Sequence, residues 1–265
     1  MIKLIISDID GTILNNNHEF SEYLLKTINA ARQKGVLFTL ATGRMYASAI
    51  QIAKGLSVDL PIICYNGCYI RDVVSDKIYL NEGISPEDTI KIIKTCREHG
   101  THVQYYLNDK LCCPQDTEYM IEYTNITKVP YYALGEEFYN VKEPVSKILI
   151  ADKNINNKNE LHNKLLKLNA NVDFTSSHKF YLEIMPKYHS KATAVKILAK
   201  QLNVDIGNIM TAGDAFNDLE MIKLVGTGVA MGQAPDEVKS IANYVTDTNE
   251  NDGLAKAIET LVLNA

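Results

Sequence analysis

The sequence predicts an α/β fold, a Rossmann-like doubly wound parallel sheet interrupted by an inserted α+β segment. Three observations predict it. Strand-like and helix-like stretches alternate at both ends of the chain, which implies right-handed βαβ crossovers. The middle reads as a self-contained mixture of strands and helices. Both passages into and out of that middle carry proline, at Gly83-Ile84-Ser85-Pro86 and at Met185-Pro186-Lys187. The expected division is a core formed by residues 1–82 and 188–265, with residues 83–187 as a second domain.

The elements follow in order. Ile2 to Ser7 is an apolar run that reads as a buried strand, and it ends in Asp8-Ile9-Asp10-Gly11-Thr12. Ser21 caps a helix with Leu24, Leu25, Ile28 and Ala31 on one face, stopped by Gly35. Val36 to Thr42 is a strand, Met45 to Lys54 a helix, and Pro61 to Gly67 another apolar strand. A hairpin spans Cys68 to Leu80. In the middle, GISPEDTIKIIKTCREHG is a capped helix, HVQYYL a strand, and the surroundings of Glu118 to Tyr123 a helix. SKILIAD is a strand, the asparagine-rich NINNKN a solvated loop, and NKNELHNKLLKL a helix. VDFTSSHKFYLEIM reads as two strands with a turn at Ser176-Ser177. The doubly wound rhythm then resumes with SKATAVKILAKQLN, NIMTAGD, NDLEMIKLV, TGVAM, PDEVKSIAN, YVT and a last helix.

Composition narrows the function classes. The 265 residues are 46% hydrophobic and 22% charged, ordinary for a globular protein, and the formal net charge of −5 argues against nucleic acid as a partner. Cys64, Cys68, Cys96, Cys112 and Cys113 lack metal-site spacing and read as buried thiols of a reducing compartment. The N-terminus carries acidic residues where a signal peptide needs an apolar stretch, and no run reaches membrane-spanning length. The expectation is a cytoplasmic protein without membrane contact. No feature of the sequence speaks to oligomeric state.

Ligands of open parallel sheets bind beyond the carboxyl ends of the strands. The groups that follow the predicted core strands are Asp8 and Asp10, Thr42-Gly43-Arg44, Asn66-Gly67, and Asp214 with Asn217 and Asp218. A single cleft would gather all of them. Asp8, Asp10 and Asp214 repel one another there unless a hard cation sits among them, and Mg²⁺ suits carboxylates that share it with phosphate oxygens. A calcium loop starting at Asp8 is excluded, because its sixth position is Ile13 where glycine is required. Lys191 follows Ser190, the expected N-cap of a helix, where a cation is unfavourable unless an anion is held nearby. Thr42 and Gly43 offer a hydroxyl and a backbone N–H suited to phosphate. The glycines of GTGVAMG bracket a strand and do not make a dinucleotide fingerprint, and no Walker loop is present.

DIDGT, ATGR, the lone lysine of HSKATAV and GDAFND resemble the four ordered signatures of the haloacid dehalogenase superfamily. The most similar subclass is the Cof-type phosphatases, whose α+β cap is inserted between the second and third signatures. The resemblance covers essentially the whole chain. It implies that Asp8 attacks a phosphate monoester to form an aspartyl-phosphate, while Asp10 protonates the leaving alcohol and then deprotonates the hydrolytic water. It implies Mg²⁺ on Asp8, the backbone carbonyl of Asp10 and Asp214, with Asp218 in support. Phosphate would be held by the Ile9 N–H, Thr42, Gly43, Lys191 and Asn217.

The expected function is therefore hydrolysis of a small phosphorylated metabolite, sugar phosphates foremost, under a closing cap. A phosphomutase of similar architecture and a non-catalytic phosphoacceptor are the alternatives. Three departures from the subclass bear on substrate choice, not on chemistry: Ala192 after the lysine, the bulky Tyr188-His189 before it, and Gln233. Tyr181, His178 and Glu183 are the cap candidates for contact with substrate.

Overall fold

The computed structural model describes every residue except Ser177 and His178, and the backbone alone of Ile126. The chain runs through β1 (Leu4–Ser7), α1 (Glu22–Gln33), β2 (Leu37–Leu40), α2 (Tyr46–Gly55), β3 (Ile62–Cys64), β4 (Tyr69–Arg71) and β5 (Ile78–Asn81). The middle holds α3 (Pro86–His99), β6 (His102–Leu107), β7 (Lys110–Cys113), α4 (Glu118–Thr127) and β8 (Tyr131–Ala133). It continues with β9 (Lys147–Ala151), α5 (Ile155–Leu166), β10 (Val172–Thr175) and β11 (Tyr181–Pro186). The last section is α6 (Lys191–Gln201), β12 (Ile209–Gly213), α7 (Leu219–Leu224), β13 (Thr227–Ala230), α8 (Asp236–Ile241), β14 (Tyr244–Val245) and α9 (Gly253–Ile258).

Strands from the two ends of the chain form one parallel sheet in the order β14-β13-β12-β1-β2. β1 is buried at every residue, as its uninterrupted apolar run requires for a strand covered on both faces. Each of its aliphatic side chains contributes roughly 1.5–3 kcal/mol by leaving water. The strand order reverses at β1: the chain passes first to β2 on one side and returns through β12 on the other. The carboxyl ends of β1 and β12 thus flank the crevice where such sheets bind ligands.

β3 differs from expectation. A lone parallel bridge, Ala41 to Ile63, ties it to the core, and its ladder partner is the antiparallel β4 in a small sheet with β5. β7 and β8 were not expected; both are short, and their alternation is too brief to read. The asparagine-rich loop is mostly helix, because Asn154 caps α5 by accepting from the N–H groups of Asn156 and Asn157. The predicted turn at Ser176-Ser177 falls partly outside the described residues.

The cap sheet has the order β10-β11-β9-β6-β7-β8 and is antiparallel except between β7 and β8. Its period-two alternation sorts the side chains onto two faces. Ile148, Ile150, Leu182 and Ile184 pack with Ile92, Ile93, Leu161 and Leu165 of α3 and α5. Lys147, Leu149, Glu183 and Met185 have the opposite parity and face the core. Among the described residues no helix is long and apolar enough to cross a membrane.

The segment after β3 is clamped to the start of α6 at Gly67, whose φ is +105°. A methyl group there would collide with the Ser190 carbonyl. Gly67→Ala is therefore expected to cost on the order of 3–5 kcal/mol, from backbone strain and overlap together. Gly35→Ala, also at positive φ but with open space around it, should cost only about 1–2 kcal/mol. Denaturant unfolding of the two variants measures the difference.

Candidate active site

Asp8 directly follows β1, and its N–H extends the ladder to Ala212 at 2.9 Å. The backbone therefore fixes the carboxylate at the crevice mouth. Lys191 opens α6 behind the expected cap: Ser190 accepts from Thr193 N–H, and Thr193 accepts in return from Ser190 N–H. That box aims the lysine inward, and Lys191 is fully buried. Its Nζ donates to Asp8 Oδ1 at 2.5 Å and to Asp218 Oδ1 at 2.6 Å. The other oxygen of Asp218 accepts from the N–H groups of Asp214 and Ala215, both at 3.1 Å. The anions that the position of Lys191 called for are thus the carboxylates of Asp8 and Asp218.

Two glycines let the carboxylates crowd together. A side chain at Gly11 would overlap the Asp214 carboxylate, and one at Gly213 would reach within 2.5 Å of Asp218 Cβ. Asp8, Asp214 and Asp218 present oxygens that lie within 4.8 Å of one another. Burial pushes the Asp8 carboxyl well above the usual range; Lys191 pulls it back, while Asp218, Asp214 and Asp10 push it further up. Burial and then Asp218 raise Asp214 to about 7. Burial alone would lower Lys191, yet Asp218 and Asp8 hold it above the ordinary lysine value.

The donor set fits a hard divalent cation. Fully ionised, the three carboxylates exceed the charge of Lys191 by two, which such a cation supplies. Bound there by Asp8, Asp214 and Asp218, it would favour the ionised carboxylates and polarise phosphate oxygens. The Asp10 side chain lies outside this cluster. It is half-exposed and held bidentately by Arg44, Nε to Oδ2 at 2.7 Å and Nη2 to Oδ1 at 2.5 Å. Arg44 stands in ATGR, yet nothing in the sequence assigns it a partner. Both oxygens of Asp10 are thus engaged, and a proton transfer through Asp10 requires one to be released.

The remaining expected residues converge on the same place. Ile9 is buried, and its N–H makes no hydrogen bond among the described residues. Thr42 is buried with Oγ1 accepting from Arg44 N–H at 3.1 Å. Gly43 approaches Asn66 so closely that a Cβ would lie 2.9 Å from its Oδ1. Asn217 donates to Asn66 Oδ1 at 3.0 Å. A cavity of about 400 Å³ borders Asp8, Asp10, Asp214, Gly43, Arg44 and Asn217. Its roof comes from the cap: Tyr123, Lys147, Tyr181 and Glu183.

Of the cap candidates, Tyr181 and Glu183 thus face the cavity, and His178 lies outside the described residues. Lys147 was missed, although a lysine at the head of the apolar KILIA strand is a signal. His189 lines a larger cavity of about 970 Å³ that touches Lys191 and Asn217 from the other side. None of Asp8, Asp10, Asp214 and Asp218 borders that space; Asp8, Asp10 and Asp214 open onto the smaller one. Gln233 donates to the Gly11 carbonyl at 2.5 Å, bracing the turn against Asp214. The five cysteines are buried free thiols, as expected.

Residues 5–258 match the haloacid dehalogenase-like hydrolases. The chain belongs to that family. It is 33% identical to a 5-amino-6-(5-phospho-D-ribitylamino)uracil phosphatase of Bacillus subtilis, with 99% of this chain and 96% of the relative covered. A solved structure from Thermotoga maritima is 31% identical with a TM-score of 0.86, and 98% of each chain is covered. A haloacid dehalogenase-like hydrolase from Bacteroides thetaiotaomicron superposes with a TM-score of 0.90 at 26% identity, covering 98% of this chain and 100% of that one. The protein is an enzyme, a phosphoric monoester hydrolase of this family.

Because Asp214 sits at about 7 when folded against 3.8 as an ordinary carboxyl, the folded protein holds the extra proton across that window. This group therefore removes stability as pH rises from about 4 to about 7 in chelated protein. A divalent cation binds the ionised form, so its stabilisation grows as pH rises. The difference in Tm between cation-loaded and chelated protein is expected to widen between about pH 5 and about pH 7.5. Thermal melts with magnesium chloride or EDTA check this, and a constant difference would contradict it.

Proposed function

We propose that this enzyme is a Mg²⁺-dependent phosphatase that hydrolyses small phosphorylated metabolites, sugar phosphates foremost, through an aspartyl-phosphate on Asp8. The reading rests on one observation. The buried Asp8–Lys191–Asp218 chain meets Asp214 at the sheet's switch point and faces a cavity of metabolite size roofed by polar cap residues. It is supported by the relative in Bacillus subtilis, whose named substrate carries a phosphorylated ribityl chain. The core of residues 1–82 and 188–265 holds the chemistry, and the cap of residues 83–187 selects the leaving group.

The phosphate would sit against the Ile9 and Gly43 N–H groups, the Thr42 hydroxyl, the Asn217 amide and the Lys191 ammonium. Asp8, the Asp10 carbonyl and Asp214, with Asp218 in support, would hold Mg²⁺, which would neutralise charge at the phosphoryl oxygens. An Asp8 oxygen attacks phosphorus as the ester P–O bond breaks, and the departing oxygen takes a proton from Asp10. Asp10 then receives a proton from water, whose oxygen attacks the aspartyl-phosphate. Orthophosphate leaves and Asp8 is regenerated. Arg44 holds Asp10 between these steps and must yield one of its oxygens to the leaving group.

Screening phosphorylated metabolites for orthophosphate release in the presence of Mg²⁺ tests the reading; a wild-type protein inactive on the whole panel overturns it. Asp8→Asn should lower kcat by more than about 10³-fold. Asp10→Asn should lose about 10²–10⁴-fold on an alkyl phosphate. Its first-turnover release of p-nitrophenolate should survive, because that phenolate departs without needing a proton, while later turnovers slow because Asp10 also activates the water. Burst-phase and steady-state kinetics of both variants on both substrates give the comparison.

A further inference from the structure

Two cap side chains reach into the phosphate end of the cavity and bind core groups there. Lys147 and Glu183, on the neighbouring strands β9 and β11, are both buried, with Nζ and Oε1 3.6 Å apart. Lys147 Nζ donates to the Gly43 carbonyl at 2.8 Å. Glu183 Oε2 accepts from Asn66 Nδ2 at 2.5 Å. Asn66 Oδ1 in turn accepts from Asn217 Nδ2 at 3.0 Å.

The polarity of this relay has one source. A carboxylate accepts hydrogen bonds and donates none, whereas each amide has one accepting and one donating end. Glu183 therefore turns the Asn66 NH₂ toward itself, which leaves the Asn66 oxygen facing Asn217. Asn217 must then turn its own NH₂ inward, with one N–H on Asn66 and the second N–H left for an anion. No other group anchors that amide, because Asn217 Oδ1 is buried without a hydrogen-bond partner among the described residues. If Glu183 were absent, both amides could rotate and the Asn217 oxygen would meet the anion. Lys147 balances the Glu183 charge and keeps the Gly43 carbonyl engaged on the cap side.

We propose that Glu183 is a positioning residue that acts through Asn66 to set the Asn217 amide, so that the phosphate-binding groups are complete only when the cap is seated on the core. The inference rests on the reading that Asn217 contacts phosphate. Cap closure and phosphate affinity become one event, and Glu183 carries the signal between them.

The probe is orthophosphate, titrated calorimetrically into the whole protein with Mg²⁺ present, alongside kcat and KM for p-nitrophenyl phosphate. Glu183→Met should weaken orthophosphate about tenfold and raise KM in parallel. Glu183→Gln keeps an accepting oxygen and should recover most of that loss. A second route avoids reliance on a variant that fails to fold. Asn66→Asp opposes two carboxylates and should weaken orthophosphate, while Asn66→Asp combined with Glu183→Gln restores both the donor to residue 66 and the acceptor for Asn217. Recovery of affinity in the double variant supports the relay. A purely structural role would lower Tm and the active fraction and leave Kd and KM unmoved. Wild-type turnover with unchanged orthophosphate affinity in folded Glu183→Met or Asn66→Asp overturns this inference alone. A wild-type protein that hydrolyses no phosphate ester overturns the functional reading, and this inference with it.

Discussion

Everything in the active site depends on one buried ammonium. Lys191 is sealed from water, and such a charge survives there only because Asp8 and Asp218 accept from it. Removing one partner from a buried ion network strands the others at a cost of several kcal/mol. The local structure is arranged around this constraint. A reciprocal cap at Ser190 and Thr193 starts the helix that delivers the lysine, and backbone N–H groups of Asp214 and Ala215 hold the far oxygen of Asp218. The glycines at 11, 67 and 213 make room where side chains would keep these elements apart. The excess negative charge that remains is what makes a divalent cation chemically appropriate.

Much of this was legible in the residues. An apolar run ending in Asp8-x-Asp10 reads as a buried strand delivering carboxylates to the carboxyl end of the sheet, because such groups forfeit strand propensity and need a compensating role. Lys191 betrayed itself by its position after an N-cap. The helix caps expected at Ser21 and Ser190 hold, and the capped helix of the middle starts at Ser85, since a cap depends on local backbone geometry that few residues decide.

The unread parts share a cause. The bidentate Asp10–Arg44 pair joins residues 34 apart, and the Asn66–Glu183 bond joins residues 117 apart. No spacing rule announces such partners, because tertiary folding alone chooses them. β3 misled for a similar reason: its apolar run suits a central parallel strand, but the hairpin that follows offers it a nearer antiparallel partner. In the asparagine-rich stretch composition points to a loop, but capping chemistry decides: Asn154 ends the loop by capping α5, and the helix begins among the asparagines themselves.

The separation between Asp8 and Lys191 has a consequence for biosynthesis. The two are 183 residues apart, and the strand β12 that completes the pairing of β1 follows Lys191. On the ribosome, the first strand made must therefore wait for the last third of the chain. The cap sheet, by contrast, draws all its strands from one contiguous stretch and takes no ladder partner from either end. Its ladders can therefore close before Asp8 has its counter-ion, whereas Lys147 and Glu183 reach Gly43 and Asn66 only once the sheet docks.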